Sequence, residues 1–228
     1  MTNRKKSSKN TIITSLCIIA AFIVLLISTS SNNKVYVNIE DNKRGYYSIL
    51  AREENKEVDI FFWYGCPHCL NLSKSFNEIK LDKKISGEGN TLIMTPLPAN
   101  SVWELHARLY YSLNLLNADK HIHIEIMNEI QTHGYKDISS ITKMIKSLSS
   151  RGYLTSGGMA LNADKVISNM SSEEVSNEIY RASVKARELS VTSVPTVIVN
   201  GNKKVEMNPL LGYRDTAKVI ELILQSNN

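Results

Sequence analysis

The sequence predicts an α/β domain interrupted by an all-helical insertion and preceded by an apolar N-terminal segment, either a membrane anchor or an export signal. Three observations carry this. Strand-like and helix-like periodicities alternate on both sides of a long stretch with helical spacing only. A basic leader stands directly before an apolar run of 16 residues. One Cys-x-x-Cys pair comes after the chain's strongest strand pattern. The resulting division is a cytoplasmic leader at 1–11, the anchor or signal at 12–27 and a linker at 28–34. The α/β domain takes 35–99 and 191–228, with the helical insertion at 100–190.

The leader explains the charge. Without Arg4, Lys5, Lys6 and Lys9, the 27 basic residues fall to 23 against 22 acidic ones, a net of +1. Such a balance gives no basic surface for nucleic acid. The positive-inside rule keeps Arg4 to Lys9 in the cytoplasm and exports the chain beyond Ile27. The run Ile12–Ile27 is intermediate between a signal core and a span of about 20 residues, and Ser28 and Ser30 offer small residues for cleavage.

The elements are read in chain order. Val35, Val37 and Ile39 alternate with Tyr36, Asn38 and Glu40 as a first strand. Val58 to Trp63 is a second strand, apolar enough to be central, and Gly65 ends it. Pro67 suits the first turn of a helix carrying Leu70, Phe76 and Ile79. Thr91 to Leu97 reads as a strand stopped by Pro96 and Pro98. Ser101 with Glu104 predicts a capping box ahead of Val102, Leu105, Leu109, Leu113 and Leu116. Further helices take Ile122, Ile126 and Ile130, then Ile138, Ile141 and Ile145. A second capping box, Ser171 with Glu174, opens a helix with Val175, Ile179, Ala182, Ala186 and Leu189 inward. Thr196 to Val199 and Lys203 to Met207 form a hairpin about Asn200-Gly201, and a last helix runs from about Asp215 to Leu224.

Cys17 lies in the apolar run and acts as a small hydrophobe, which leaves Cys66 and Cys69 as the exported pair. Cysteines two residues apart cannot staple distant elements, so the pair points to chemistry. At a helix start the sulfur of Cys66 meets unpaired N–H groups and the positive dipole end, which favour thiolate. Cys66 is the expected exposed nucleophile and Cys69 the shielded partner one turn later. Pro67 stiffens the turn, and His68 adds positive charge beside the thiolate. A stabilised thiolate stabilises the reduced form and makes the disulfide a stronger oxidant. Pro195 stands directly before a strand; a trans turn proline is the ordinary case, but together with the Cys66–Cys69 motif a cis Val194–Pro195 bond is expected, with the Val194 backbone placed to pair with an extended client peptide.

Other readings compete at these residues. Cys66 and Cys69 as half a zinc site lack further ligands, since His68 is tied to the same turn. His106, His121, His123 and His133 are expected on a solvated helix surface rather than in a metal cluster. Trp103, Tyr110 and Tyr111 are expected to pack between helices, while Trp63 and Tyr64 edge the client groove.

The run Phe61-Phe62-Trp63-Tyr64-Gly65-Cys66-Pro67-His68-Cys69 resembles the active-site segment of DsbA-type disulfide oxidoreductases, and Val194-Pro195-Thr196-Val197-Ile198-Val199-Asn200-Gly201 resembles their cis-proline loop and hairpin. The resemblance spans about Val35 to Gln225. It implies a thioredoxin-like fold with an all-helical insertion, needing no cofactor or metal. It further implies an enzyme that oxidises exported proteins bearing reduced cysteines through mixed disulfides, reoxidised by a quinone-linked membrane partner, in the bacterial cell envelope. One position departs: the family often carries a glutamate six residues before the first cysteine, and here Ile60 stands there. Strand alternation sends the neighbouring Asp59 to the other face. Two alternatives remain open at this point, a membrane-anchored reductase or isomerase for a dedicated partner and a non-enzymatic peptide- or metal-binding module.

Overall fold

The computed structural model describes residues 34–38, 44–51, 53–207 and 211–226. The leader 1–11, the apolar segment 12–27 with Cys17, and the linker apart from Lys34 lie outside the described residues. Among the described residues, no helix is long and apolar enough to cross a membrane.

Six strands make the main sheet: β1 (Lys34–Asn38), β2 (Arg44–Ile49), β3 (Glu57–Phe62), β4 (Thr91–Pro96), β7 (Thr196–Val199) and β8 (Lys203–Val205). A two-stranded hairpin, β5 (Thr155–Ser156) with β6 (Met159–Ala160), lies outside it. Helices α1 (Pro67–Glu78) and α2 (Leu81–Gly87) join β3 to β4. The block α3 (Ser101–Leu115), α4 (His121–His133), α5 (Ile138–Ser150), α6 (Ala163–Asn169) and α7 (Glu173–Glu188) separates β4 from β7, and α8 (Tyr213–Gln225) ends the fold.

The sheet order is β1-β2-β8-β7-β3-β4. β3 is buried from Val58 to Phe62, a run apolar except for Asp59, as suits a strand covered on both faces. Val58 and Ile60 pack with Leu72, Phe76, Leu81, Ile85 and Ile220 beneath α1, α2 and α8. Phe61 faces the other way, against Ala186, Leu189 and Ile198. Strand register then brings distant sequence together. β3 runs parallel to β4 and antiparallel to β7, with Phe61 opposite Thr196. The end of β3, which leads into Cys66, therefore lies beside the start of β7, just after Pro195.

Several expectations shift. β2, α2, α6 and the β5–β6 hairpin have no counterpart in the elements expected from periodicity. The helix caps are one residue from those expected. Asn100, not Ser101, caps α3 by accepting the Val102 and Trp103 N–H groups, each at 3.0 Å. Ser172, not Ser171, caps α7 through the Val175 N–H at 3.2 Å. In both cases the capping residue has the extended backbone that a side-chain cap requires. The Asn200-Gly201 turn is as expected: φ values of 54° and 73° are held by the Asn202 N–H to Val199 O bond of 3.3 Å.

Candidate active site

Cys66 is the N-cap of α1, with extended backbone, and Pro67 fills the first helical position. The cap acceptor is sulfur: the Cys69 N–H donates to Cys66 Sγ at 3.4 Å. On its other side Cys66 Sγ, as a thiol, donates to the Val194 carbonyl at 3.7 Å, and the Val194–Pro195 bond is cis. The two segments singled out in the sequence thus meet at one sulfur. Cys66 is not the open nucleophile expected. It is 7% exposed and Cys69 2%, because both pack into the apolar cluster with Leu70, Leu109 and Ile130. The asymmetry between them survives in weaker form.

Their protonation is strongly divided. The Cys66 thiol is lowered to about 6, first by the hydrogen bond from the Cys69 thiol, against the opposing cost of burial. The Cys69 and His68 N–H groups and the His68 charge add to the lowering. Cys69 is pushed far above the ordinary thiol range by its bond to Cys66, by burial and by the neighbouring charge. At neutral pH the reduced pair holds one thiolate, on Cys66, and one thiol, on Cys69.

The loop between β3 and α1 is clamped from the helical block. Gln131 of α4 donates to the Tyr64 and Cys66 carbonyls at 3.1 and 3.2 Å. The Trp63 indole N–H donates to His106 Nδ1 at 2.9 Å, and His106 Nε2 bonds the Tyr135 carbonyl at 2.8 Å. Trp63 also stacks on Trp103, ring centres 4.6 Å apart and 9° from parallel. Fixed in this way, the indole lies directly over Gly65. A Cβ there would come within 2.4 Å of its ring, so only glycine fits. The Tyr64 hydroxyl bonds His123 Nδ1 at 2.6 Å.

The solvated-surface expectation for the histidines therefore holds only for His121 and His133. His106 is 1% exposed and His123 is half-buried, and burial lowers both, His123 to about 4. Among the described residues, no group of three or more His, Cys, Asp or Glu side chains is gathered for a metal ion. Tyr64, at 1% exposure, supports the loop from below rather than edging a groove. Trp103 and Tyr110 are packing residues of α3, but they pack on Trp63 of the loop and Phe62 of β3 rather than between helices. Sequence reasoning did not find Gln131 or Tyr213, whose hydroxyl lies 2.6 Å from His68 Nδ1. A signal existed for His106 alone, which interrupts the stripe Val102, Leu109 and Leu113 on α3.

A cleft of about 550 Å³ opens beside the pair, lined by His68, Val194, Pro195, Met207, Leu211 and Tyr213 among others. Ile60 is 2% exposed beneath α1, and Asp59 lies on the opposite face of β3, ion-paired with Lys185.

A family model described as Thioredoxin matches residues 51–212, which hold the cysteine pair, the helical block and the Val194–Pro195 loop. The chain belongs to the thioredoxin family. Similar proteins include thiol:disulfide interchange proteins. DsbA of Pseudomonas syringae pv. tomato is 26% identical over 168 residues, covering 74% of this chain and 73% of the relative. DsbA of Azotobacter vinelandii is 24% identical, covering 77% of each. The crystal structure of Pseudomonas aeruginosa DsbA shares the fold with a TM-score of 0.64 at 19% identity, over 86% of this chain and 92% of that one. Reduced DsbA1 from Neisseria meningitidis matches with a TM-score of 0.62 at 21% identity, over 82% and 94%. This thioredoxin-family chain is a DsbA-type thiol:disulfide oxidoreductase.

Proposed function

We propose that this oxidoreductase works as an oxidase, donating the Cys66–Cys69 disulfide to exported proteins that carry reduced cysteines. The observation that carries the reading is the divided protonation of the pair, with Cys66 lowered to about 6 and Cys69 raised. A client thiolate attacks Cys66 Sγ, forms a mixed disulfide and expels Cys69, which takes up a proton. A second client thiolate then attacks the client sulfur of that mixed disulfide and expels Cys66 as thiolate. The client loses two electrons and the pair gains them. A thiol titrating near 6 is a good leaving group at neutral pH, so the second step is favoured.

In this reading the Val194 backbone and Pro195 hold the extended client beside Cys66, and the adjoining cleft takes its flanking residues. His68 and Pro67 tune the thiolate. Ile60 supplies no proton to Cys69, unlike the acid often found at that position, so the proton comes by another route. Reoxidation falls to a quinone-linked membrane partner. The chain acts at the outer face of the bacterial cytoplasmic membrane, tethered by residues 12–27.

The test is equilibration of the purified protein with glutathione. The expected potential lies above the roughly −270 mV of thioredoxin, towards the roughly −120 mV of DsbA, and a value like that of thioredoxin would sink the oxidase reading. The pH arm has a definite sign. Cys66 is depressed in the folded reduced protein, so its contribution to stability is fully present above the ordinary value of 9 and is lost as pH falls through about 6. The melting advantage of reduced over oxidised protein should shrink over that window.

A further inference from the structure

We propose that Tyr213 is a positioning residue of the reaction: its hydroxyl holds the His68 ring in the orientation that stabilises the Cys66 thiolate. Tyr213 Oη and His68 Nδ1 are 2.6 Å apart, and 145 residues separate them in the chain. His68 is exposed, whereas Tyr213 is half-buried at the first residue of α8. That helix is anchored by Ala217, Val219, Ile220, Ile223 and Leu224 in the core beneath the sheet. The hydroxyl is therefore presented to the exposed ring from a helix packed into the core.

A hydroxyl suits this task because it both donates and accepts. With the neutral ring carrying its proton on Nε2, the Tyr213 O–H donates to Nδ1. With the ring protonated, Nδ1–H donates to the Tyr213 oxygen. The contact survives both states, so the ring keeps one orientation through the proton cycle, with a proton on Nε2 in each. A phenylalanine ring would fill the same space and lose this hold. His68 stands two residues beyond Cys66 in the first turn of α1, and its charge favours the Cys66 thiolate, behind the hydrogen bonds from Cys69 and the His68 N–H. Lys204 and Glu206, the other charged groups lining the cleft, carry opposite signs and do not replace that charge.

The inference rests on Cys66 being the nucleophile, as proposed above. The test is a pH titration of thiolate absorbance in the reduced full chain for wild type, Tyr213→Phe, His68→Ala and the double variant. Tyr213→Phe is expected to raise the Cys66 midpoint by about 0.3 pH unit, a roughly twofold fall in the thiolate-to-thiol ratio. In the His68→Ala background the same substitution should shift nothing further. An unchanged midpoint in Tyr213→Phe overturns the inference, and so does an equal shift with and without His68. A thioredoxin-like glutathione potential for wild type would remove the oxidase reading while leaving these titration outcomes to decide the role of Tyr213.

Discussion

Cys66→Ser is expected to bring disulfide transfer to a reduced client down to the uncatalysed rate, a loss on the order of 10³-fold or more. Serine cannot form the disulfide, and its alkoxide is neither as accessible nor as good a leaving group as a thiolate near neutral pH. Cys69→Ser also removes oxidase turnover, but its signature differs. The Cys66 thiolate remains at the α1 N-terminus, where it attacks client disulfides and stays attached for want of a resolving thiol. Non-reducing electrophoresis should show that covalent adduct for Cys69→Ser and none for Cys66→Ser. Adducts of equal amount in both variants would reverse or dissolve the assignment of nucleophile and resolving partner.

Lys185→Met is expected to cost about 3 kcal/mol of stability, the low end for breaking a buried ion pair. Asp59 is 1% exposed in β3, and Lys185 of α7 contacts its carboxylate and also lies 3.3 Å from Glu57. Burial already raises the Asp59 carboxyl above its ordinary value despite the lysine, so the charge is barely supported. Without Lys185 the carboxylate is left buried beside Glu57. For a chain of this size the melting temperature should fall by roughly 6–12 °C. The raised value sets the sign with pH. Asp59 lowers stability as pH rises from its ordinary range through the raised one, so acidification should narrow the gap between variant and wild type. Thermal melts at neutral and acid pH check this, and Asp59→Asn combined with Lys185→Met should regain most of the loss. A neutral-pH melt unchanged by Lys185→Met would show that the pair carries no stability.

The central elements are legible in the sequence because they obey strong patterns. The run Val58 to Phe62 fits a strand buried on both faces, and Pro67 after Cys66 marks where α1 begins. The Val194–Pro195 loop is betrayed by its place before β7 rather than by any contact. β2 is not legible, because Arg44 to Ile49 shows no alternation of apolar residues and contains Gly45. That glycine is needed by tertiary packing, since a Cβ there would come within 2.2 Å of Val219 on α8. The burial of Cys66 is also hidden, because the apolar wall over it is built from α3 and α4, distant in sequence. The burial of His106 and His123 is hidden for a similar reason. Spacing on their own helices says nothing of Trp63 and Tyr64, which hydrogen-bond them across the fold. Gln131 and Tyr213 sit where a polar or aromatic residue is ordinary, and only the meeting of elements gives them work.

The direction of electron flow separates an oxidase from a reductase, and it can be read in living cells. Cells expressing the full chain are quenched in acid, their free thiols alkylated, and the redox state of Cys66 and Cys69 read by mobility. The pair is expected to be predominantly disulfide at steady state, as a donor recharged by a membrane oxidant must be. A pair found predominantly as dithiol would contradict the oxidase assignment, and would make this chain a reductant of its partners.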